Sequence, residues 1–434
     1  MTAQIRLPGR AEPLVIPEPG WAARYPPPIL RRVYAAAHVA ARRTEGLADP
    51  VIDWESTMKF RRHLWAYGFG VAEAMDTAQR GMGLSWEQAR ELIARSAEEA
   101  TRYRADQSNT GLGAGAGAGV DAGTGGALVC GVGTDQLIDG ERYAMARVID
   151  AYAEQMAFVQ ATGAGVIVMA SRALAGSARG ARDYLEVYGE LLRQAERPVI
   201  LHWLGEAFDP ALRGYWGGSD FDAAADTVLE LIERAGGQVG GIKLSVLDAR
   251  REVALRRRLP AGVRMYTGDD FHYADLIRGD AAGPANGDRR HDGDRPHDWD
   301  GRRHGDGRRD GVAYSDALLG AFAAITAPAA AALAALDRGD VAGYDATMGP
   351  TVPLSRLIFE APTYYYKVGV AFLAWLNGLQ PDFAMLGGLQ RRRSARHLIR
   401  VFELAAAARA LTDPELAVAR MGEMVAVMAG PGRV

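Results

Sequence analysis

One lysine stands where a lysine is hard to place. In "GGIKLSVLD" (240–248), Ile242, Leu244 and Val246 alternate as the apolar face of a short buried strand, and Lys243 and Ser245 fall on the other face. An ammonium in an apolar interior must be paired or have its pKa lowered, because burial disfavours the charged form. Paired with a carboxylate, Lys243 is a structural charge inside the protein. Desolvated and neutral, it is a nucleophilic amine that can attack a carbonyl carbon. Bringing it from roughly 10.4 to neutrality costs on the order of 4 kcal/mol, and Asp269 or Asp270, in "TGDD" (267–270), would instead hold the charged form. The other polar residues able to do chemistry close short apolar runs: His38, Asp76 with Thr77, Thr134 with Asp135, Ser171 with Arg172, and His202. An imidazole titrates near neutrality, so His202 suits proton transfer, with a hydrogen-bonded structural histidine as the alternative. His38, Asp76, Asp135 and His202 also form a set that could hold a divalent metal and activate a water.

The elements that must position these groups are short apolar strands alternating with amphipathic helices. Strands are expected at "RVYAAAHV" (from Arg32), "FGVAEAM" (Phe69), "ALVCGV" (Ala127), "AGVIVMAS" (Ala164), "PVILHWL" (Pro198), "GGIKLSV" (Gly240), "GVRMYTG" (Gly262) and "LLGAFAAI" (Leu318). Eight strands with helices such as "SWEQARELIARSAEEATRY" between them predict an α/β fold, a (β/α)₈ barrel spanning 32–328. A doubly wound open sheet would want a glycine-rich first turn, and "HVAARRTEG" has none. In a barrel the chemistry sits where strands end, which is where the polar residues above fall. Beyond Pro328 the pattern is helical only, a C-terminal extension over 329–434, and the Pro-rich segment 1–31 reads as an extended arm. "PTYYYK" (362–367) carries three aromatic rings, expected either at the barrel mouth, at a subunit contact or, more commonly, packed between helices.

Two low-complexity segments interrupt the order. "GLGAGAGAGVDAGTGG" (111–126) reads as a flexible linker. The tract 278–310 holds eight Arg against eight Asp and three histidines, His291, His297 and His304. It reads as a solvated polyampholyte, since no regular ligand spacing marks it as a metal site. Both follow a helix and precede a strand, which in a barrel puts them on the face opposite the chemistry. A net charge of −3 gives no reason to expect nucleic acid or an anionic membrane as partner, and no apolar run is long enough to span a bilayer. One cysteine, Cys130, excludes an intrachain disulfide and reads as a small buried residue. "GVGTDQ" lacks the third glycine of a dinucleotide turn, and His63 and His397 lie in helical runs as surface or packing residues. Without an apolar signal core at the N-terminus, the cytoplasm is the expected compartment.

The order of the motifs carries more than any one of them. "PVILHWLGEAFDP", "GGIKLSVLDAR" and "VRMYTGDDFHYADLI" resemble strands five to seven of the dihydrodipicolinate synthase and N-acetylneuraminate lyase family, which runs "PxxLYNxP", "GxKD/E" and "SGDD" in the same order. "DWESTMKFRRHLWAYGFGVAEAMDT", "LVCGVGTDQ", "LLGAFAAITAPAAAALAALDRGDVAGYDA" and "FEAPTYYYKVGVAFLAWLNG" continue the resemblance through most of 32–420. It implies a (β/α)₈ barrel with C-terminal helices, and a strand-six lysine, here Lys243, that forms an imine with a keto acid and needs no other cofactor. The departures are as informative. The family's strand-five tyrosine falls on His202 and its carboxylate-binding arginine near Ala207. Its "GTTGE" loop falls on Asp76, Thr77 and Ala78, with the glutamate on Arg80.

This pattern implies a diverged branch whose substrate is a keto acid or keto sugar other than pyruvate in lysine synthesis. Lys243 and His202 are the expected catalytic residues; His38, Asp76, Thr77, Asp135, Arg172, Ser245, Asp269 and Asp270 are the expected substrate contacts. The expected partner is a small carbonyl compound, and the expected assembly a homodimer or tetramer. A metal-assisted barrel enzyme, with a divalent metal as cofactor, and a non-catalytic sugar-acid binding protein stay open beside the lyase.

Overall fold

The structure, a computed structural model, describes residues 3–109, 126–279, 308–309 and 312–429. Eight parallel strands close a barrel in sequential order: β1 (Val33–Ala36), β2 (Gly70–Glu73), β3 (Leu128–Val132), β4 (Gly165–Val168), β5 (Val199–Leu204), β6 (Val239–Ser245), β7 (Arg264–Thr267) and β8 (Asp316–Leu319). The (β/α)₈ reading is thus correct. After each of the first seven strands the chain returns through a helix on the outside: α1 (Trp54–Ala66), α2 (Trp86–Asn109), α3 (Met145–Ala161), α4 (Ala181–Gln194), α5 (Phe221–Arg234), α6 (Ala249–Arg256) and α7 (Tyr273–Arg278). Seven of the expected strands lie within a few residues of those observed. The eighth is corrected: it opens earlier, at Asp316, and the "AFAA" segment expected to extend it is helical (Ala321–Ala324). A wholly buried Ala-rich run has no polar face to mark its period, so strand and helix look alike in it.

Alternation divides each strand between a barrel interior and an outer layer under the helices. Inside lie Tyr34, Ala36, Ala72, Val129, Ile167, Ile200, Tyr266 and Leu318. The Tyr34 and Tyr266 rings pack at 6.1 Å in the lower barrel. Gly241 makes room for them, since a Cβ there would meet the Tyr266 ring at 2.6 Å. Arg264 Nη1 donates to Asp316 Oδ2 at 2.7 Å in this layer, which explains a charged residue at the start of β8. On the outer face, Glu73 of β2 takes two 2.8 Å hydrogen bonds from Arg61 of α1 and a third from Ser96 of α2, at 2.6 Å. That pair is fully buried and joins two helices to the sheet.

The C-terminal region is helical: α8 (Thr326–Asp337), which runs through Pro328, then α9 (Val341–Met348), α10 (Thr351–Ile358), α11 (Lys367–Leu376), α12 (Ala395–Ala407) and α13 (Pro414–Ala429). The N-terminal arm is tied down. Gln4–Ile5 pairs with Leu14–Val15, Trp21 Nε1 donates to Arg409 O at 2.7 Å, and the amides of Ile29 and Leu30 donate to Asp337. Most of the segments 111–126 and 278–310 lies outside the described residues. The chain enters and leaves both between a helix and the amino end of β3 or β8.

Candidate active site

Lys243 lies in register with His202 on β5 and Tyr266 on β7, so all three side chains face the barrel interior, as strand alternation predicts. Lys243 is 5% exposed. Among the described residues none makes a hydrogen bond or ion pair with its amine. Ser245, one pleat further along, shares a 3.2 Å hydrogen bond with His202 Nε2, while His202 Nδ1 is buried without a partner. Gly268, after β7, is required for this packing. A Cβ on it would lie 2.1 Å from Ser245 Oγ and 2.9 Å from Lys243 Cε, so only a glycine lets the lysine stem pass.

Two carboxyl groups frame the amine. Burial lowers the Lys243 pKa, and Asp76 and Asp270 oppose the fall. Burial pushes Asp270 well above the usual carboxylate range, although it accepts a 3.0 Å hydrogen bond from Ala321 N and feels the Lys243 charge. Burial thus favours the uncharged form of each group, and the uncharged amine is the nucleophilic one. Asp76 differs. Burial would raise it, but Lys367 and Lys243 hold it below its ordinary value. His202 is pushed well below 6.5 by burial and by the Lys243 charge, so its imidazole is neutral at pH 7 and can accept a proton.

The C-terminal region completes the site. Tyr366 donates its hydroxyl to Asp76 Oδ2 at 2.7 Å and shares a 2.6 Å hydrogen bond with Thr77 Oγ1. Lys367, the first residue of α11, is 2% exposed; its Nζ donates to Tyr364 O at 2.9 Å and lies 3.4 Å from Met82 Sδ. Ser355 of α10 braces the Asp270 backbone, donating to its carbonyl at 2.6 Å.

The structure therefore brings together Lys243, His202, Ser245, Asp76, Thr77 and Asp270. It directs the other expected contacts elsewhere. His38 packs edge-on against Phe60 and bonds Gln380 through Nε2 at 2.8 Å, and burial lowers its pKa to about 4. Asp135 is bound by Arg80 and Gln155. Thr134 bonds Ser171, which caps the short helix Arg172–Ser177. Arg172 is engaged by Asp209 and Asp139, both at 2.6 Å. Asp269 turns to His272, accepting from its Nδ1 at 2.8 Å and from its amide. Each lies near a strand end, but another side chain claims it: a charged one on another loop for Asp135 and Arg172, an uncharged one for His38 and Thr134, and the nearby His272 for Asp269. Arg80 is one such partner; it also donates to the carbonyls of Ala74 and Gly131 and so closes the loops after β2 and β3. Sequence reasoning passed over Gly268 and Lys367. The signal for the second was a single charge opening an otherwise uncharged helix, "KVGVAFLAWL". Among the described residues, no three His, Cys, Asp or Glu side chains form a group that could hold a metal ion, and no helix is long and apolar enough to cross a membrane.

A family model matches residues 10–288 and 300–430 of this chain. The chain belongs to the family described as protein of unknown function, DUF993. No curated protein matches its sequence. Solved structures similar to this DUF993 chain are dihydrodipicolinate synthases and their relatives. YagE, a prophage protein of the dihydrodipicolinic acid synthase family from E. coli K12 solved in complex with pyruvate, matches with a TM-score of 0.57 and 13% identity, covering 87% of this chain and 98% of its own. The 4-hydroxy-tetrahydrodipicolinate synthase of Methylacidiphilum fumariolicum SolV gives 0.55 and 16%, over 89% and 98% of the two chains. Dihydrodipicolinate synthase from Aquifex aeolicus gives 0.56 and 12%, over 88% and 99%. The resemblance read from the strand motifs thus extends to the fold, and identities this low fit a diverged branch.

Proposed function

We propose that this DUF993 chain is a Schiff-base-forming lyase or aldolase acting on a small keto acid or keto sugar, with Lys243 as its nucleophile. The observation that carries this reading is an interior lysine whose amine has no hydrogen-bond partner among the described residues, while a neutral imidazole and two carboxyl groups stand around it. A structural lysine would be paired; this one is held by packing and left free at its reactive end. The amine attacks the substrate carbonyl carbon, and the carbinolamine loses water to give an iminium. The iminium then draws the electron pair of the bond being broken, or loses an α-proton to give the enamine whose electron pair makes the bond being formed. Asp270, whose pKa burial raises, can donate to the departing hydroxyl, and His202 can accept the proton released. The working form proposed is a cytoplasmic homodimer or tetramer.

Borohydride reduction in the presence of pyruvate or a longer 2-oxo acid should leave a stable adduct that peptide mapping locates on Lys243. Lys243→Ala should abolish both adduct and turnover, whereas His202→Phe should slow turnover by roughly 10²–10⁴-fold and still allow trapping. Turnover surviving in Lys243→Ala would overturn the imine mechanism.

A further inference from the structure

The Schiff-base reading gives no work to Lys367, yet its position is costly. It is more deeply buried than Lys243, and it stands in the first turn of α11, where the helix dipole opposes a cation. An ammonium has three protons to donate. Lys367 spends one on Tyr364 O, points another at the Met82 thioether, a weak acceptor, and lies 4.9 Å from the centroid of the Tyr366 ring, so none of its partners is an anion. Among the described residues no carboxylate comes within ion-pair distance of it. Asp76, the acidic group whose field it feels most, is held through Oδ2 by the Tyr366 hydroxyl rather than by the lysine. Arg172, from the loop after β4, adds positive charge, which its ion-pair partner Asp209 opposes. Lys367 and Lys243 both act on the Asp76 carboxylate, and Tyr366, whose ring centroid lies 4.9 Å from Lys367 Nζ, donates its hydroxyl to that same carboxylate.

We propose that Lys367 is the anion anchor of this site, and that the carbonyl substrate carries a carboxylate which Lys367 holds while Lys243 takes the carbonyl carbon. The second half rests on the Schiff-base reading; the first does not. A carboxylate supplies one negative charge and two acceptor oxygens, which matches a single buried ammonium whose partners are all uncharged. The α11 amides of Gly369 and Val370 already donate to Tyr366 O, so the site lacks the fan of free backbone N–H groups that phosphate ordinarily finds at a helix start. The anchor makes Lys367 a specificity-determining residue contributed by the C-terminal helices rather than by the barrel.

Oxalate is a suitable probe, because it resembles a 2-oxo acid in its carboxylates and has no ketone with which to form an imine. Its binding to the full-length protein can be followed by thermal shift. Wild type and Lys243→Ala should both bind it, and Lys367→Met should bind it about 10–100-fold more weakly, the loss expected for removing one partner of a desolvated charge pair. Wild-type affinity should fall as pH rises past about 8, where burial sets the Lys367 pKa, and Lys367→Met should lack that dependence. A purely structural lysine would not produce such a pH profile. Lys367→Gln serves as a second variant should the methionine variant not fold. No oxalate binding by the wild type, or equal binding by the Lys367 variants, overturns the anchor. A failure of borohydride trapping with the Lys367-dependent binding intact would remove the Schiff-base reading and leave the anchor standing.

Discussion

Replacing Lys367 with methionine should make the protein more stable. Burial lowers its pKa from the ordinary 10.5 to about 8, and at roughly 1.4 kcal/mol per tenfold step this corresponds to about 3 kcal/mol spent on keeping the ammonium inside at neutral pH. Methionine is unbranched, of similar length, and suits an apolar pocket against Tyr366 and Met82. The loss of the hydrogen bond to Tyr364 O and of the cation–π contact with the Tyr366 ring returns about 2 kcal/mol, leaving a net gain of about 1 kcal/mol. The sign of the pH dependence is fixed. The folded-state pKa lies below the unfolded one, so between about pH 8 and 10.5 the unfolded chain binds more protons and wild-type stability rises with pH. The advantage of Lys367→Met is therefore full at pH 7 and fades across that window. Urea unfolding at pH 7 and pH 9.5 measures both quantities. A variant less stable than wild type at pH 7, or a gain equal at the two pH values, would refute the reasoning.

Other outcomes follow from buried groups the site does not use. Glu252 accepts from Ser315 at 2.6 Å and Thr267 at 3.0 Å, and burial raises it from 4.5 to about 7. Its folded-state pKa is the higher one, so stability drains away as pH rises from about 4.5 to 7. Glu252→Gln should accordingly gain on the order of 2–3 kcal/mol over wild type at pH 8 and nothing at pH 4.5, as read by denaturant titration. Glu73→Gln leaves the Arg61 charge buried beside a neutral amide and should cost roughly 3–5 kcal/mol in the same assay. Gly268→Ala should cost about 1–3 kcal/mol through overpacking. It should also lower the rate of borohydride trapping, since the new methyl must displace Ser245 Oγ and the Lys243 stem.

Much of the fold could be read from the sequence because the barrel repeats one physical rule eight times: an apolar strand, a polar residue at its end, an amphipathic helix. Lys243 and His202 were legible for the same reason, since a two-residue period fixes which side chains share a face. His38 shows where the rule stops. It follows β1 as expected, but past the strand's last residue no period dictates direction, and Phe60 and Gln380 take its ring. Asp135 and Arg172 fail similarly. A charge at a strand end says that a polar group lies near the mouth, not whether Arg80 or Asp209 has already paired with it. Such partners lie tens of residues away, on loops whose approach only the folded chain fixes.

The contribution of the C-terminal helices was the least legible, and it bears most on function. Tyr366 reaches the β2 loop across nearly 290 residues of sequence to hold Asp76 and Thr77, and Ser355 braces Asp270 from α10. Of the groups around Lys243, the strands supply the fixed ones, His202 and Ser245, while the carboxyls are oriented by residues beyond β8. This division has a physical consequence. Strands in a closed barrel cannot shift without breaking the ladder on both sides, so the amine and imidazole keep their separation. The helices that set Asp76, Asp270 and Lys367 are held by packing and a few hydrogen bonds, and substitutions there can change what the pocket grips without disturbing the nucleophile. On the proposed reading, a chain that carries its nucleophile on β6 and its anion contact on α11 can change substrate while retaining its chemistry, and Lys367 is where that change should be sought.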